Sequence, residues 1–217
     1  MENNHTSADC LTQQTAVQRV PRLELELCIK KRFLTPEQCR SCIDLIDQDC
    51  SPSTIADPNG DDYFRTSDTC NFTHDIPFVE EIDQQICAFA GIDRKFGEPL
   101  QGQRYSVGQE FKGHTDYFEP DGEDFVKYCT ESGQRTWTFM IYLNEVPAGG
   151  ATRFKHIDKT VQPETGKLIC WNNMNSEQAP NTWTLHHGMK VRKGRKYVIT
   201  KWFREKPWPW QNFAGPD

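Results

Sequence analysis

After Gly97 the chain breaks into short β-type runs separated by turn residues, and this feature constrains the fold more than any other. The runs are Leu100–Tyr105, Thr136–Leu143, Ala151–Phe154, Lys167–Trp171, Thr182–His187 and Lys196–Phe203. Several short strands at close spacing predict a sandwich or a small barrel. The half before Gly97 reads differently. Leu23, Leu25 and Leu27 alternate with charged residues and predict a strand. Thr35-Pro36-Glu37 opens a helix, with Thr35 as N-cap and Pro36 at the first helical position. Cys39, Cys42, Leu45 and Ile46 then share one face. A second helix is expected over Pro77–Ala90, with Val79, Ile82, Ile86 and Phe89 as its stripe. Two helices ahead of a β region cover one face of a sheet.

The length of 217 residues suits one domain with a sizeable core. Residues 1–20 are polar and read as a flexible tail without a secretory leader; 21–217 form the domain. A formal net charge of −6 argues against a nucleic-acid binder. No run of 18 apolar residues occurs, so no membrane span is expected. Nine cysteines with no secretory leader point to reduced thiols in a cytoplasmic setting. Cys39 and Cys42 form a C-x-x-C, but on a helix outside a thioredoxin-like βαβ context they read as small hydrophobes. Eight Lys or Arg fall between Lys190 and Lys206 against the single acid Glu205, and read as a solvated edge. The ending Pro207-Trp208-Pro209-Trp210 is expected to pack on the body or to form a subunit contact; the chain is read as monomer or homodimer.

The sharpest local signal is His114-Thr115-Asp116. Residues i and i+2 of a strand point to one face, so both side chains can reach one ion. His156, His186 and His187 are the downstream candidates for a third ligand. Two imidazoles and one carboxylate occupy three positions of an octahedral ion and leave three open, as a non-haem Fe(II) oxygenase requires. Lys196 opens an otherwise apolar strand, where its ammonium must snorkel to solvent or meet an anion.

Further blocks stand around these residues. Arg65-Thr66-Ser67 comes first, then Arg104-Tyr105-x-x-Gly108-Gln109 before the H-x-D. Gly133-Gln134-Arg135, Ile141-Tyr142-Leu143-Asn144, Gly149-Gly150-x-Thr152 and Pro163-x-x-Gly166-Lys167 follow, and the His186-to-Lys196 block closes the set. In this order they resemble the prolyl 4-hydroxylase family of Fe(II)/2-oxoglutarate dioxygenases, and the resemblance runs from about Leu23 to Arg204. The resemblance implies an α+β fold with a double-stranded β-helix (jelly-roll, cupin-like) core and N-terminal helices packed on one sheet. It places the distal His ten residues before the cosubstrate Lys, which selects His186 over His187. His114, Asp116 and His186 would then hold Fe(II). Tyr105, Thr152 and Lys196 would take 2-oxoglutarate, and Trp202 would wall the site. Glu98, Arg135 and Arg204 match positions that approach the peptide substrate.

The implied reaction hydroxylates a prolyl residue in a peptide or protein while 2-oxoglutarate and O2 are converted to succinate and CO2, with L-ascorbate as helper. An oxygenase of the same family acting on a free amino acid or other small molecule, and a non-catalytic cupin-like metal-binding module, are the competing readings. Two segments, Ser51–Asp62 and Phe118–Ser132, are expected as lid loops. Lys190 and the stretch Trp171-Asn172-Asn173-Met174-Asn175 depart from the family's commoner forms.

Overall fold

Two antiparallel sheets facing each other carry the site, and alternation along their strands decides which side chains enter it. The computed structural model describes residues 8–53, 65–73 and 75–209. Its helices are α1 (Ala8–Thr12), α2 (Pro36–Gln48), α3 (Pro77–Ala90) and α4 (Glu123–Cys129). The first strands are β1 (Val17–Arg19), β2 (Leu27–Lys30), β3 (Ser51–Pro52), β4 (Asp68–Asn71), β5 (Gln101–Tyr105) and β6 (Phe111–His114). Then follow β7 (Arg135–Tyr142), β8 (Ala148–Gly149), β9 (Thr152–Phe154), β10 (Lys159–Val161) and β11 (Leu168–Asn172). The last are β12 (His186–Gly188), β13 (Val191–Lys193) and β14 (Lys196–Arg204).

The major sheet has the order β1-β2-β11-β7-β14-β5-β4-β3, and the minor sheet β10-β9-β12-β6. Strands β13 and β8 form a separate pair. On β14, Tyr197, Ile199 and Phe203 pack into the core beneath the helices, while Lys196, Thr200 and Trp202 face the space between the sheets. On β7, Trp137, Phe139 and Ile141 turn to the helices, and Thr138 and Met140 turn to the cleft. This is the period-two rule applied to strands buried on both faces, which is why both read as continuous apolar runs. The expected jelly-roll core with helices on one sheet is the architecture found.

Both expected helices form where their caps and stripes place them. Thr35 accepts from the Gln38 backbone at 3.2 Å, and the Gln38 side chain accepts from the Thr35 backbone at 3.0 Å, a reciprocal box worth about 1 kcal/mol. Cys39, Cys42 and Ile46 are buried beneath it. Helix α3 ends at Gly91, whose φ of 67° suits the left-handed cap. Between α3 and β5, Gly97 has a different reason: a Cβ there would lie 2.3 Å from Cε of Lys201, which forms a fully buried ion pair with Asp83 at 2.5 Å.

Several expectations need correction. Residues 8–20 are no tail: Ala8 and Leu11 are fully buried, and β1 pairs with β2, so this segment covers a sheet edge. The strand expected from Leu23 starts at Leu27, because the chain turns at Val20–Arg22 and leaves Leu23 97% exposed. Thr182–Thr184 is a 3-10 turn capped by the Asn181 side chain, and the strand begins only at His186. The segment Phe118–Ser132 holds helix α4 and is anchored at its start, where Phe118 and Gln134 exchange two hydrogen bonds of 2.8 Å. The Ser51–Asp62 segment lies outside the described residues from position 54 on, as does Trp210. The basic run from Lys190 is not one edge: Lys196, Lys201 and Arg204 within it are buried.

Candidate active site

Register brings the two histidines together. His186 on β12 pairs directly with His114 on β6, and their ring centroids stand 4.2 Å apart. A register shift past this pair lets Phe111, three residues before His114, also face inward and stack on its ring at 3.4 Å. Asp116 follows just beyond β6, its Oδ1 3.8 Å from Nε2 of His114. One ligand atom from each of His114, Asp116 and His186 falls within 4.8 Å of the others.

The donor set is arranged for a cation. The Nδ1–H of His114 donates to the Lys112 carbonyl at 2.8 Å, and that of His186 to the Thr184 carbonyl at 2.9 Å. Both rings therefore present an unprotonated Nε2. Burial lowers both imidazoles below their ordinary range, and each is kept neutral. Burial acts to raise Asp116, but the Arg135 guanidinium and the Thr138 hydroxyl act against it, and the carboxyl lies below its usual range. Two neutral imidazoles and one carboxylate make a facial N,N,O set that suits a divalent first-row ion.

His187 points the other way, as strand alternation requires, and its Nε2 lies 2.9 Å from Glu110 Oε2. His156 is exposed and sits beside Trp183. Neither joins the cluster.

A cleft open to solvent lies above the cluster. Tyr105, Thr152, Lys196 and Trp202 all line it. Lys196 is the register partner of Tyr105 on β5, and its Nζ lies 5.1 Å from that ring and 5.5 Å from the Tyr142 ring. Burial alone pushes this ammonium down to about 7. Thr152 accepts from the Tyr142 hydroxyl at 2.7 Å. At the other end Arg65 contributes a cation held by the Ser67 and Thr69 hydroxyls and by Gln101.

Glu98, Arg135 and Arg204 come together, but not on the cleft wall. Both oxygens of Glu98 accept from Arg135, at 2.7 and 2.8 Å, and Arg204 adds a third bond at 2.9 Å. Glu98 and Arg204 are buried, and three charges removed from water have to satisfy one another. Glu98 and Arg204 therefore sit in a buried ion network outside the cleft lining. Arg135 reaches the cleft only indirectly: its guanidinium stacks 4.0 Å from the Trp202 ring, and Nη1 lies 3.4 Å from the Asp116 carbonyl.

The C-x-x-C lies buried beneath α2. Burial raises Cys39 to about 11 and Cys42 to about 12, and neither is in a disulfide. Residues that sequence reasoning missed are Phe111, Thr138, Met140 and Asn173. Thr138 and Met140 were legible as every second residue of β7. Phe111 was not, since Lys112-Gly113 has little strand character.

A double-stranded β-helix with a His-Asp-His cluster at its cleft is an arrangement that can hold a divalent ion and leave positions open for further ligands. Residues 100–204 match the family model described as the 2OG-Fe(II) oxygenase superfamily. The chain is 28% identical over 189 residues to prolyl 4-hydroxylase subunit alpha-1 of Gallus gallus, covering 85% of this chain and 36% of that subunit. It is 29% identical over 197 residues to probable prolyl 4-hydroxylase 10 of Arabidopsis thaliana, covering 79% of this chain and 66% of that protein. A crystal structure of the viral collagen prolyl hydroxylase of Paramecium Bursaria Chlorella virus-1 with 2OG superposes with a TM-score of 0.64 at 22% identity, covering 88% and 97% of the two chains. A prolyl hydroxylase of Trichoplax adhaerens, solved with a hypoxia inducible factor peptide fragment, superposes at 0.61 and 15% identity over 82% and 83%. The chain is thus similar to prolyl 4-hydroxylases over most of its length. It spans only about a third of the chicken subunit it matches.

Proposed function

We propose that this chain hydroxylates a prolyl residue in a peptide or protein, using 2-oxoglutarate and O2 at an Fe(II) held by His114, Asp116 and His186. The observation that carries the reading is the pairing of that cluster with Lys196, a buried cation at the far wall of the same cleft. An ammonium removed from water, with no carboxylate against it among the described residues, calls for an anion. The distal carboxylate of 2-oxoglutarate supplies one, with the Tyr105 and Thr152 hydroxyls beside it. The opposite end of that cosubstrate then reaches toward the metal cluster.

Bound iron, with 2-oxoglutarate and O2, supplies the oxidising power that turns a C–H bond into C–OH with release of succinate and CO2. The protein's residues orient and exclude. Thr184 and Lys112 carbonyls fix the imidazoles, Phe111 and Trp171 shield them from water, and Trp202, braced by Arg135, forms the wall against which a substrate ring can rest. L-Ascorbate as the reductant that restores the metal belongs to this reading. A cytoplasmic setting belongs to the same reading.

The test is succinate release under Fe(II) with proline-containing peptides against free proline. Peptide-dependent release that is lost in Asp116→Ala is expected. Turnover with free proline alone would replace the peptide reading by the small-molecule one. Wild-type turnover in Asp116→Ala would remove the site.

A further inference from the structure

Behind Asp116 runs a short polar chain that neither binds the proposed cosubstrate nor fills the core. Thr138, on the inward face of β7, places its hydroxyl 2.7 Å from Asp116 Oδ2. Asn173, the first residue past β11, places Nδ2 2.9 Å from that same hydroxyl oxygen. Both residues are fully buried. The backbone grips Asn173 on both sides: its N–H donates to the Thr136 carbonyl at 2.7 Å, and its carbonyl accepts from Asn181 at 2.8 Å.

The direction of the chain follows from proton counting. An ionised carboxylate only accepts, so the single hydroxyl proton of Thr138 goes to Asp116. The Thr138 oxygen must then accept, so the Asn173 amide turns its NH2 toward it. That orientation leaves Oδ1 of Asn173 buried without a hydrogen-bond partner. A buried acceptor left unmet costs stability, and an orphan of this kind marks a place where packing has been subordinated to something else.

We infer that Thr138 and Asn173 are positioning residues that keep Asp116 a one-oxygen ligand. This rests on the proposed His114, Asp116 and His186 ligand set. A carboxylate with both oxygens unrestrained can swing to chelate an ion through the pair, which consumes one of the positions that 2-oxoglutarate and O2 need. With Oδ2 tied to Thr138, the oxygen left facing His114 is Oδ1, 3.8 Å from Nε2. Asn173 acts one step further out by fixing which way the hydroxyl points, the usual task of an outer partner around a metal ligand.

The test uses calorimetry with Mn(II), first alone and then with 2-oxoglutarate added to the Mn(II)-loaded protein. The variants are Thr138→Val, which is isosteric and cannot donate, Thr138→Ser, which can, and Asn173→Asp. In the last, the new carboxylate competes for the hydroxyl proton and releases Oδ2 of Asp116. The expected pattern is a split: Thr138→Val and Asn173→Asp hold Mn(II) at least as well as the wild type but bind 2-oxoglutarate on the order of 10-fold more weakly, and Thr138→Ser stays near wild type. A merely structural role predicts that both affinities fall together along with the melting temperature, and that result overturns the inference. So do unchanged affinities in both donor-deleting variants, or failure of the serine to rescue. Should the valine variant not fold, the aspartate variant carries the comparison alone. A wild-type chain that binds no Mn(II) removes the ligand set itself, which separates failure of the reaction reading from failure of the relay.

Discussion

His186 stands directly across from His114 in the antiparallel pairing of β12 with β6, so two residues 72 positions apart share one inward face. His187, its neighbour in sequence, is turned to the outer face and pairs with Glu110. The two histidines should therefore differ sharply on substitution. His186→Ala is expected to lose metal binding and turnover. His187→Ala breaks one partly exposed pair and should cost only about 0.5–1 kcal/mol in stability, with turnover near wild type. Parallel metal titrations of the two variants check this, and equal losses would show that the ligand has been assigned to the wrong ring.

The ammonium of Lys196 gives the ligand-free protein a distinctive pH profile. Its folded value is about 7, well below that of an exposed lysine. Between pH 7 and about 10.4 the unfolded chain holds this proton more tightly than the folded one. Stability of the ligand-free protein should rise with pH through this window, by at most about 1.4 kcal/mol per pH unit from this group. Saturating 2-oxoglutarate restores the charged form and should flatten the rise, and 2-oxoglutarate affinity should fall as pH climbs above 7. Lys196→Met should abolish the pH-dependent rise and bind 2-oxoglutarate far more weakly. Urea unfolding with and without 2-oxoglutarate across this range is the measurement. A flat profile in the wild-type protein would show that Lys196 keeps its ordinary proton affinity.

Glu98 should behave as a structural centre. Removing its carboxylate in Glu98→Ala leaves two guanidiniums, Arg135 and Arg204, facing one another away from water. A loss of about 3–5 kcal/mol is expected, the size typical of a broken buried pair. A residue that only touched substrate would instead raise KM and leave the melting temperature alone. Thermal unfolding beside steady-state kinetics distinguishes the two.

Thiol reactivity should follow burial and not the C-x-x-C spacing. Cys39 and Cys42 are buried and their thiols are pushed far above neutral, so native protein should leave both unmodified by iodoacetamide. Cys10 is exposed and should be labelled first. Peptide mapping after short labelling tests the order, and early modification of Cys42 would reopen a redox role.

Much of this protein was legible in its residues taken in order. The capping box at Thr35, the stripes of α2 and α3, the apolar runs of β7, β11 and β14, and the His114/Asp116 pair all follow from local chemistry with short periods. The choice of His186 and the roles of Tyr105, Thr152 and Lys196 came from resemblance to a family, and the cleft brings all of them to one place. What stayed hidden depends on contacts between distant segments. Glu98 and Arg204 resembled substrate-facing residues, yet only the packing of β14 against the turn before β5 makes them partners 106 residues apart. Residues 8–20 look like a tail because their polarity is local, while the sheet edge they cover is not. The relay from Asn173 through Thr138 to Asp116 joins three separate stretches of chain and has no signature in any one of them. Periodicity records which way a side chain leaves its own strand; what it meets there is settled by register and by the pairing of sheets, which local sequence does not encode.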